Sequence, residues 1–275
     1  MGQILLLVNT GMKRIKTPIA LPGVVTASRD VPGGHRIEIA LETERDRVPS
    51  ILIVPDRVPM REERCAAALL LHGFTSRKER MAEGIGRALL AYGVATLSID
   101  LPMHGARGTG IYEVTRNPLQ LIAAWRLALS EVRCSLDYLS SLAAVDAQRL
   151  AIVGYSLGAY LAVVAAGDEP RCRAVVLASG GDLPEATPFA SLVRAAADPL
   201  RAVRRLAGRP LLMVNGRFDR TIQASQATRL FEAAGDPKEI HWYQGGHWPP
   251  QPAIEFGAQW LAERLASGEW RLASG

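Results

Sequence analysis

A chain of 275 residues with 48% hydrophobic and 21% charged residues can bury a substantial core and is too rich in core-forming side chains for intrinsic disorder. Its net charge of +5 comes mainly from arginines scattered among acids, as in "REERC" and "RAVRRLAGR", without a basic stripe or interleaved aromatics, so a nucleic-acid partner is not expected. Cys65, Cys134 and Cys172 are odd in number and lack metal-type spacing, which suggests neither a disulfide framework nor a zinc site and fits a reducing, cytoplasmic compartment.

The opening "MGQILLLVNTGMKRIK" has only a short apolar run, no basic segment before it and no small-residue cleavage site after it, so it does not read as a signal peptide. No run approaches the length of a membrane span. Residues 1–34 are expected to form a partly irregular extension. Its first eleven residues precede a second methionine, Met12, and read either as poorly ordered or as an upstream start. From His35 onward, "HRIEIALET" and "VPSILIVPD" alternate apolar and polar residues, as antiparallel edge strands do, and predict a hairpin. "CAAALLLHGF" is a continuous apolar run of the kind a strand buried on both faces shows.

Helix and strand then alternate. "RMAEGIGRALLAYG" predicts a helix, "VATLSIDLP" a buried strand, and "NPLQLIAAWRLALSEVRCSLDYLSSL" a long amphipathic helix with a possible break. "RLAIVGYS", "CRAVVLASGG", "RPLLMVNGRFD" and "KEIHWYQGG" read as strands. "LGAYLAVVAAG", "TIQASQATRLFEAAG" and "AIEFGAQWLAERLAS" read as helices. Such alternation implies right-handed crossovers and a mostly parallel sheet of about eight strands, with helices on both faces and an antiparallel amino-terminal edge. A single domain is expected over residues 35–275. Ligands bind such sheets beyond the carboxyl ends of the strands, which narrows the search for chemistry to the residues just after each strand.

Three of those residues form a candidate catalytic set. Ser156 sits in "GYSLG" between strand and helix, where Gly154 and Gly158 lack the side chains that would keep the two elements apart. A serine hydroxyl is a weak nucleophile and needs a base and a group to orient that base. His247, in the glycine-rich "YQGGHWPP" after the last strand, is the natural base. Asp219, just past "LLMVNGRF", can orient it and stabilise its positive form. Asp198 and Asp236 lie in less suitable segments, and His241 lies inside a strand, where a packed or surface role fits better.

An oxyanion needs backbone donors. Leu157 N–H at the start of a helix is one candidate, and the other lies in the turn after the first parallel strand, where "LLLHGFTS" places His72, Gly73 and Phe74. His72 reads as a structural turn histidine, because a backbone donor does not need the imidazole. In "DLPMHGARG", Asp100 and His104 read as turn-stabilising rather than as a pocket wall, and Tyr155 reads as packing rather than as a proton donor.

With "HGF" (72–74), "GYSLG" (154–158), Asp219 and His247 in that order, the chain resembles the α/β-hydrolase superfamily from about residue 35 to 266. "HGFTSRKE", "DLPMHGARG" and "VDAQRLAIVGYSLGAY" place the resemblance on its dienelactone-hydrolase and prolyl-oligopeptidase side, with bacterial carboxylesterases, acetyl esterases and feruloyl esterases. It departs from dienelactone hydrolases proper in having serine where they have cysteine, and it lacks the "HGGG" of hormone-sensitive-lipase-like esterases. The resemblance implies an α/β-hydrolase fold with a short cap insertion at about 183–208. It also implies a triad of Ser156, Asp219 and His247, with Phe74 and Leu157 as oxyanion donors.

The expected function is cleavage of carboxylic esters of small soluble substrates through an acyl-enzyme. A peptidase, amidase or thioesterase would use the same three residues, and a catalytically silent binding module is the alternative from another class. No cofactor or metal is expected. There is no H-E-x-x-H and no G-x-G-x-x-G after a strand, and "GARGTG" lacks the P-loop lysine. The expected partner is a small-molecule ester, with no nucleic acid or membrane, and homo-oligomerisation is left open.

Overall fold

The computed structural model describes residues 23–43, 46–56, 64–108, 112, 115–184, 187 and 189–267. The reading of the first sixteen residues lies outside these. Among the described residues one nine-stranded sheet runs in the order β1-β2-β3-β5-β4-β6-β7-β8-β9. Its strands are β1 (Gly23–Val31), β2 (Gly34–Glu42), β3 (Arg47–Pro55), β4 (Cys65–Leu71), β5 (Ala95–Ile99), β6 (Val145–Tyr155), β7 (Cys172–Ala178), β8 (Leu211–Gly216) and β9 (Lys238–Tyr243). The first three, and the junction of β3 with β5, are antiparallel, and every pairing from β5 to β9 is parallel.

The expected hairpin is β2–β3, with Gly34 opposite Pro55 and Glu42 opposite Arg47. The additional strand β1 precedes it, within the segment expected to be partly irregular. Its residues are all exposed or half-exposed, so it has no buried face to read. It forms by pairing with β2 across a turn in which Gly33 adopts φ 86°, a conformation natural to glycine.

Every residue of β4, β5 and β8 is buried, as helices on both faces require. One face, including Leu69, Leu71 and Ile152, packs with α3 (Pro118–Ser141) and α4 (Leu157–Asp168). The other face, including Leu70, Val153 and Val214, packs beneath α8 (Gln251–Ser267) and the helical segment after β4. That segment is α1 (Lys78–Met81), a π-helical turn over Ala82–Gly86 and α2 (Arg87–Ala91), where a single regular helix was expected.

The long helix α3 is continuous. Pro118 takes its first position, Asn117 accepts from Leu119 N and Gln120 N, and Ser135 and Ser140 donate back to the carbonyls four residues earlier, so none of these serines interrupts it. Within residues 183–208 lie two short helices, α5 (Ala190–Ala197) and α6 (Pro199–Arg204). Val193 of α5 packs on Tyr160 and Leu121, and Arg194 pairs with the buried Asp182 at 2.8 Å. The remaining helix, α7 (Ala224–Ala233), precedes β9. No described helix is long and apolar enough to cross a membrane.

Candidate active site

Ser156 forms the hinge between β6 and α4. Its φ of 52° and ψ of −114° lie where a side chain is strained, at a cost on the order of 1–3 kcal/mol. The surroundings impose that geometry. Ser156 N donates to Ala178 O of β7 at 2.9 Å, and its carbonyl accepts from Ala159 N and Tyr160 N. A Cβ on Gly154 would lie 2.2 Å from Gly158 O, and one on Gly158 would lie 2.1 Å from Leu71 O. The glycines therefore let β6, α4 and β4 meet at backbone distance.

Asp219 and His247 reach the same place from β8 and β9. His247 Nε2 lies 2.9 Å from Ser156 Oγ, and its Nδ1 lies 2.8 Å from Asp219 Oδ2. The other carboxylate oxygen of Asp219 accepts from Thr221 N at 2.8 Å and Ile222 N at 3.0 Å. The Asp219 side chain is wholly buried while that of His247 keeps 19% exposure, so the imidazole alone of the pair meets solvent. With the carboxylate as acceptor, the proton of neutral His247 belongs on Nδ1, which leaves Nε2 free to accept from the serine hydroxyl.

Sequence reasoning missed the groups that hold the histidine loop. Ser179 Oγ donates to His247 O at 2.6 Å, Tyr155 OH donates to the same carbonyl at 3.3 Å, and Tyr243 OH donates to Gly246 O at 2.9 Å. Phe218 N donates to Gly245 O at 2.9 Å, joining the aspartate and histidine loops directly. The position of Ser179 just after β7 was the available signal. Burial pushes the Tyr155 phenol above its ordinary range, so its proton stays in place.

The turn after β4 borders the serine, since a Cβ on Gly73 would lie 3.2 Å from Ser156 Cβ and 2.8 Å from the Tyr155 ring. His72 fixes this turn. Its Nδ1–H donates to Gly73 O at 2.8 Å, and its Nε2 accepts from Leu101 N at 3.0 Å. Gly73 C=O and Phe74 N–H belong to one planar peptide, so the imidazole that holds the carbonyl also sets the direction of that N–H. Leu157 N–H, at the first position of α4, has no acceptor within its helix.

The loop after β5 is braced as a turn. Asp100, fully buried, accepts from Lys78 N, Lys78 Nζ and Ala106 N. His104 donates from Nδ1 to Pro102 O and packs against the Phe74 and His72 rings. Of the residues weighed and set aside, His241 stacks on Phe256, and Asp198 caps α6 through Leu200 N.

Burial pushes the His72 pKa from 6.5 down to about 4. Between these values the unfolded chain binds a proton that the folded chain does not. The stabilisation from keeping His72 neutral is therefore complete above pH 6.5 and is lost as pH falls toward 4, by up to about 3 kcal/mol. Urea melts at pH 7 and pH 4.5 should show His72→Asn losing less stability on acidification than the parent. Equal losses would remove His72 from the account.

A family profile described as "Alpha/beta hydrolase family" matches residues 68–268. A hydrolase named acrC from Aspergillus aculeatus is 33% identical over 153 residues, covering 51% of this chain and 33% of that protein. The chain thus spans about a third of the length of this curated relative. The crystal structure of acetyl xylan esterase 1 from Thermoanaerobacterium sp. JW/SL YS485 superposes with a TM-score of 0.70 at 17% identity, covering 90% of this chain and 89% of that one. Est1E from Butyrivibrio proteoclasticus, solved with ferulic acid bound, gives 0.64 at 18% identity, covering 83% of this chain and 98% of that one.

Proposed function

The chain belongs to the alpha/beta hydrolase family, and on that premise we propose that it is a serine hydrolase cleaving carboxylic esters of small substrates through an acyl-enzyme. The observation that carries this reading is the unbroken hydrogen-bond chain from Ser156 Oγ through both ring nitrogens of His247 to Asp219.

Ser156 Oγ attacks the ester carbonyl carbon as its proton passes to His247 Nε2, and the imidazolium that forms is held by the buried Asp219 carboxylate. The carbonyl oxygen, now an oxyanion, is stabilised by the Phe74 and Leu157 amides, each worth on the order of 3 kcal/mol to the transition state. Collapse expels the alkoxide, which takes the proton from Nε2 and leaves an acyl-serine. Water then attacks the acyl carbon, giving its proton to His247, and Ser156 leaves with that proton as the acid is released. One structural neighbour is named an acetyl xylan esterase and the other was solved with ferulic acid bound, which supports ester over amide substrates. The short two-helix cap supports small acyl or aryl groups over triglycerides.

Labelling with a fluorophosphonate is expected to modify Ser156 once per chain and to abolish p-nitrophenyl acetate hydrolysis, while exhaustive chelation with EDTA leaves the rate unchanged. Unlabelled serine with full turnover, or a rate lost to chelation and restored by zinc or manganese, refutes the proposal.

A further inference from the structure

Behind the histidine loop, on the sheet face covered by α8 and the π-helical turn, lies a cavity of about 220 Å³ that Ser156, Asp219 and His247 do not line. Its floor is formed by Val153, Val176 and Val214 of three adjacent strands, and its sides by Ile85 and Ile254. Two glycines on opposite walls keep it open. A Cβ on Gly84 would meet nothing within 4 Å, and one on Gly257 would meet only the Val176 and Val214 methyls at 3.9 Å. The irregular turn that carries Gly84 and Ile85 is of a kind often found at functional sites. An apolar void of this sort costs stability in proportion to its size, and walls with so few polar groups do not hold water well.

The mouth has the opposite character. Trp248, 52% exposed, forms the roof, stacked on Tyr155 with ring centroids 4.8 Å apart. The Arg80 guanidinium lies over the Trp248 ring at 4.1 Å, and among the described residues no carboxylate pairs with it. A guanidinium held by ring stacking keeps its planar fork of donors available for a carboxylate. An apolar chamber with an uncompensated cation at its entrance suits one ligand chemistry, an aliphatic tail with an anionic head.

We propose that this cavity binds an aliphatic monocarboxylate of medium chain length, with the chain against the valine floor and the carboxylate on Arg80. Ser156 does not line the site, and the proposal does not depend on the ester-hydrolase reading. Calorimetric titration of the full chain carrying Ser156→Ala keeps the two questions apart. Octanoate is expected to bind at one site per chain, 1-octanol more weakly and acetate not at all.

Adding Arg80→Gln should weaken octanoate about tenfold or more and leave 1-octanol nearly unchanged. Adding Gly84→Leu, whose side chain enters open space, should abolish binding of both. Ile85→Phe fills the same chamber from the neighbouring position and serves if the leucine variant does not fold. The absence of saturable octanoate binding overturns the proposal, as does octanoate binding that survives the folded filling variant. An Arg80→Gln variant that binds octanoate as tightly as its parent removes the carboxylate contact and with it the assigned ligand class.

Discussion

Replacing Ser156 by alanine is expected to lower turnover of p-nitrophenyl acetate by about four orders of magnitude or more, with no comparable loss of stability. The hydroxyl is the one group of the proposed triad that bonds to the ester carbon. His247 and Asp219 have nothing to activate once it is gone, so their contributions vanish with it. The residue that remains still bears the strained φ of 52°, which alanine tolerates about as well as serine, and the backbone bonds of Ser156 to Ala178, Ala159 and Tyr160 do not involve the side chain. The melting temperature should therefore stay within a few degrees of the parent. Residual rate above the uncatalysed reaction would come from the two amides we propose as oxyanion donors. An alanine variant that is folded and retains more than a few per cent of parental turnover would move the nucleophile elsewhere.

Gly158→Ala should produce one of the larger losses of stability available from adding a single methyl group. In an ordinary helix the exchange of glycine for alanine is favourable by roughly 1 kcal/mol. Here the new Cβ would lie 2.1 Å from Leu71 O, 2.5 Å from Leu71 C and 2.7 Å from His72 O. Each of these is backbone of the strand and turn that carry Gly73, so no side-chain rotation relieves the clash, and α4 must lift away from β4. A cost of about 4 kcal/mol or more follows, a large share of the ~5–15 kcal/mol that holds a typical domain folded. Turnover should fall with stability, because the same shift parts Ser156 from the turn after β4 that carries the proposed oxyanion donor Phe74. Gly84→Ala, which meets no atom within 4 Å, is the control and should be neutral or mildly stabilising. Thermal melts of the two variants side by side decide the matter, and a Gly158→Ala protein melting within a degree or two of the control would show that the helix is free to move.

The parts of the molecule legible in the sequence are those whose cause is local. Gly154, Ser156 and Gly158 are read together because a tight strand-to-helix turn demands small residues at fixed offsets. Asp219 and His247 could be singled out because each follows an apolar run, and the ends of parallel strands converge. The clamp of Ser179 and Tyr243 on the histidine loop could not be read in this way. Ser179 Oγ and His247 O are 68 residues apart, and their meeting depends on how two loops settle after the sheet has formed. Strand β1 was hidden for a different reason: it buries almost nothing, and its order comes from pairing with β2 rather than from a hydrophobic face. The π-helical turn follows from glycines at 84 and 86 that weaken the regular helix, but the sequence does not say that the relief takes that form.

The weakly buried β1 also bears on how the protein behaves at high concentration. An outermost strand offers unpaired backbone donors and acceptors to any neighbour able to extend the sheet. The irregular register between Val25 and Ala27 interrupts the flat ladder that a second chain would have to match, and Arg29 and Asp30 place charge along the same margin. The β1 margin is thereby made a poor template for edge-to-edge stacking into fibrils.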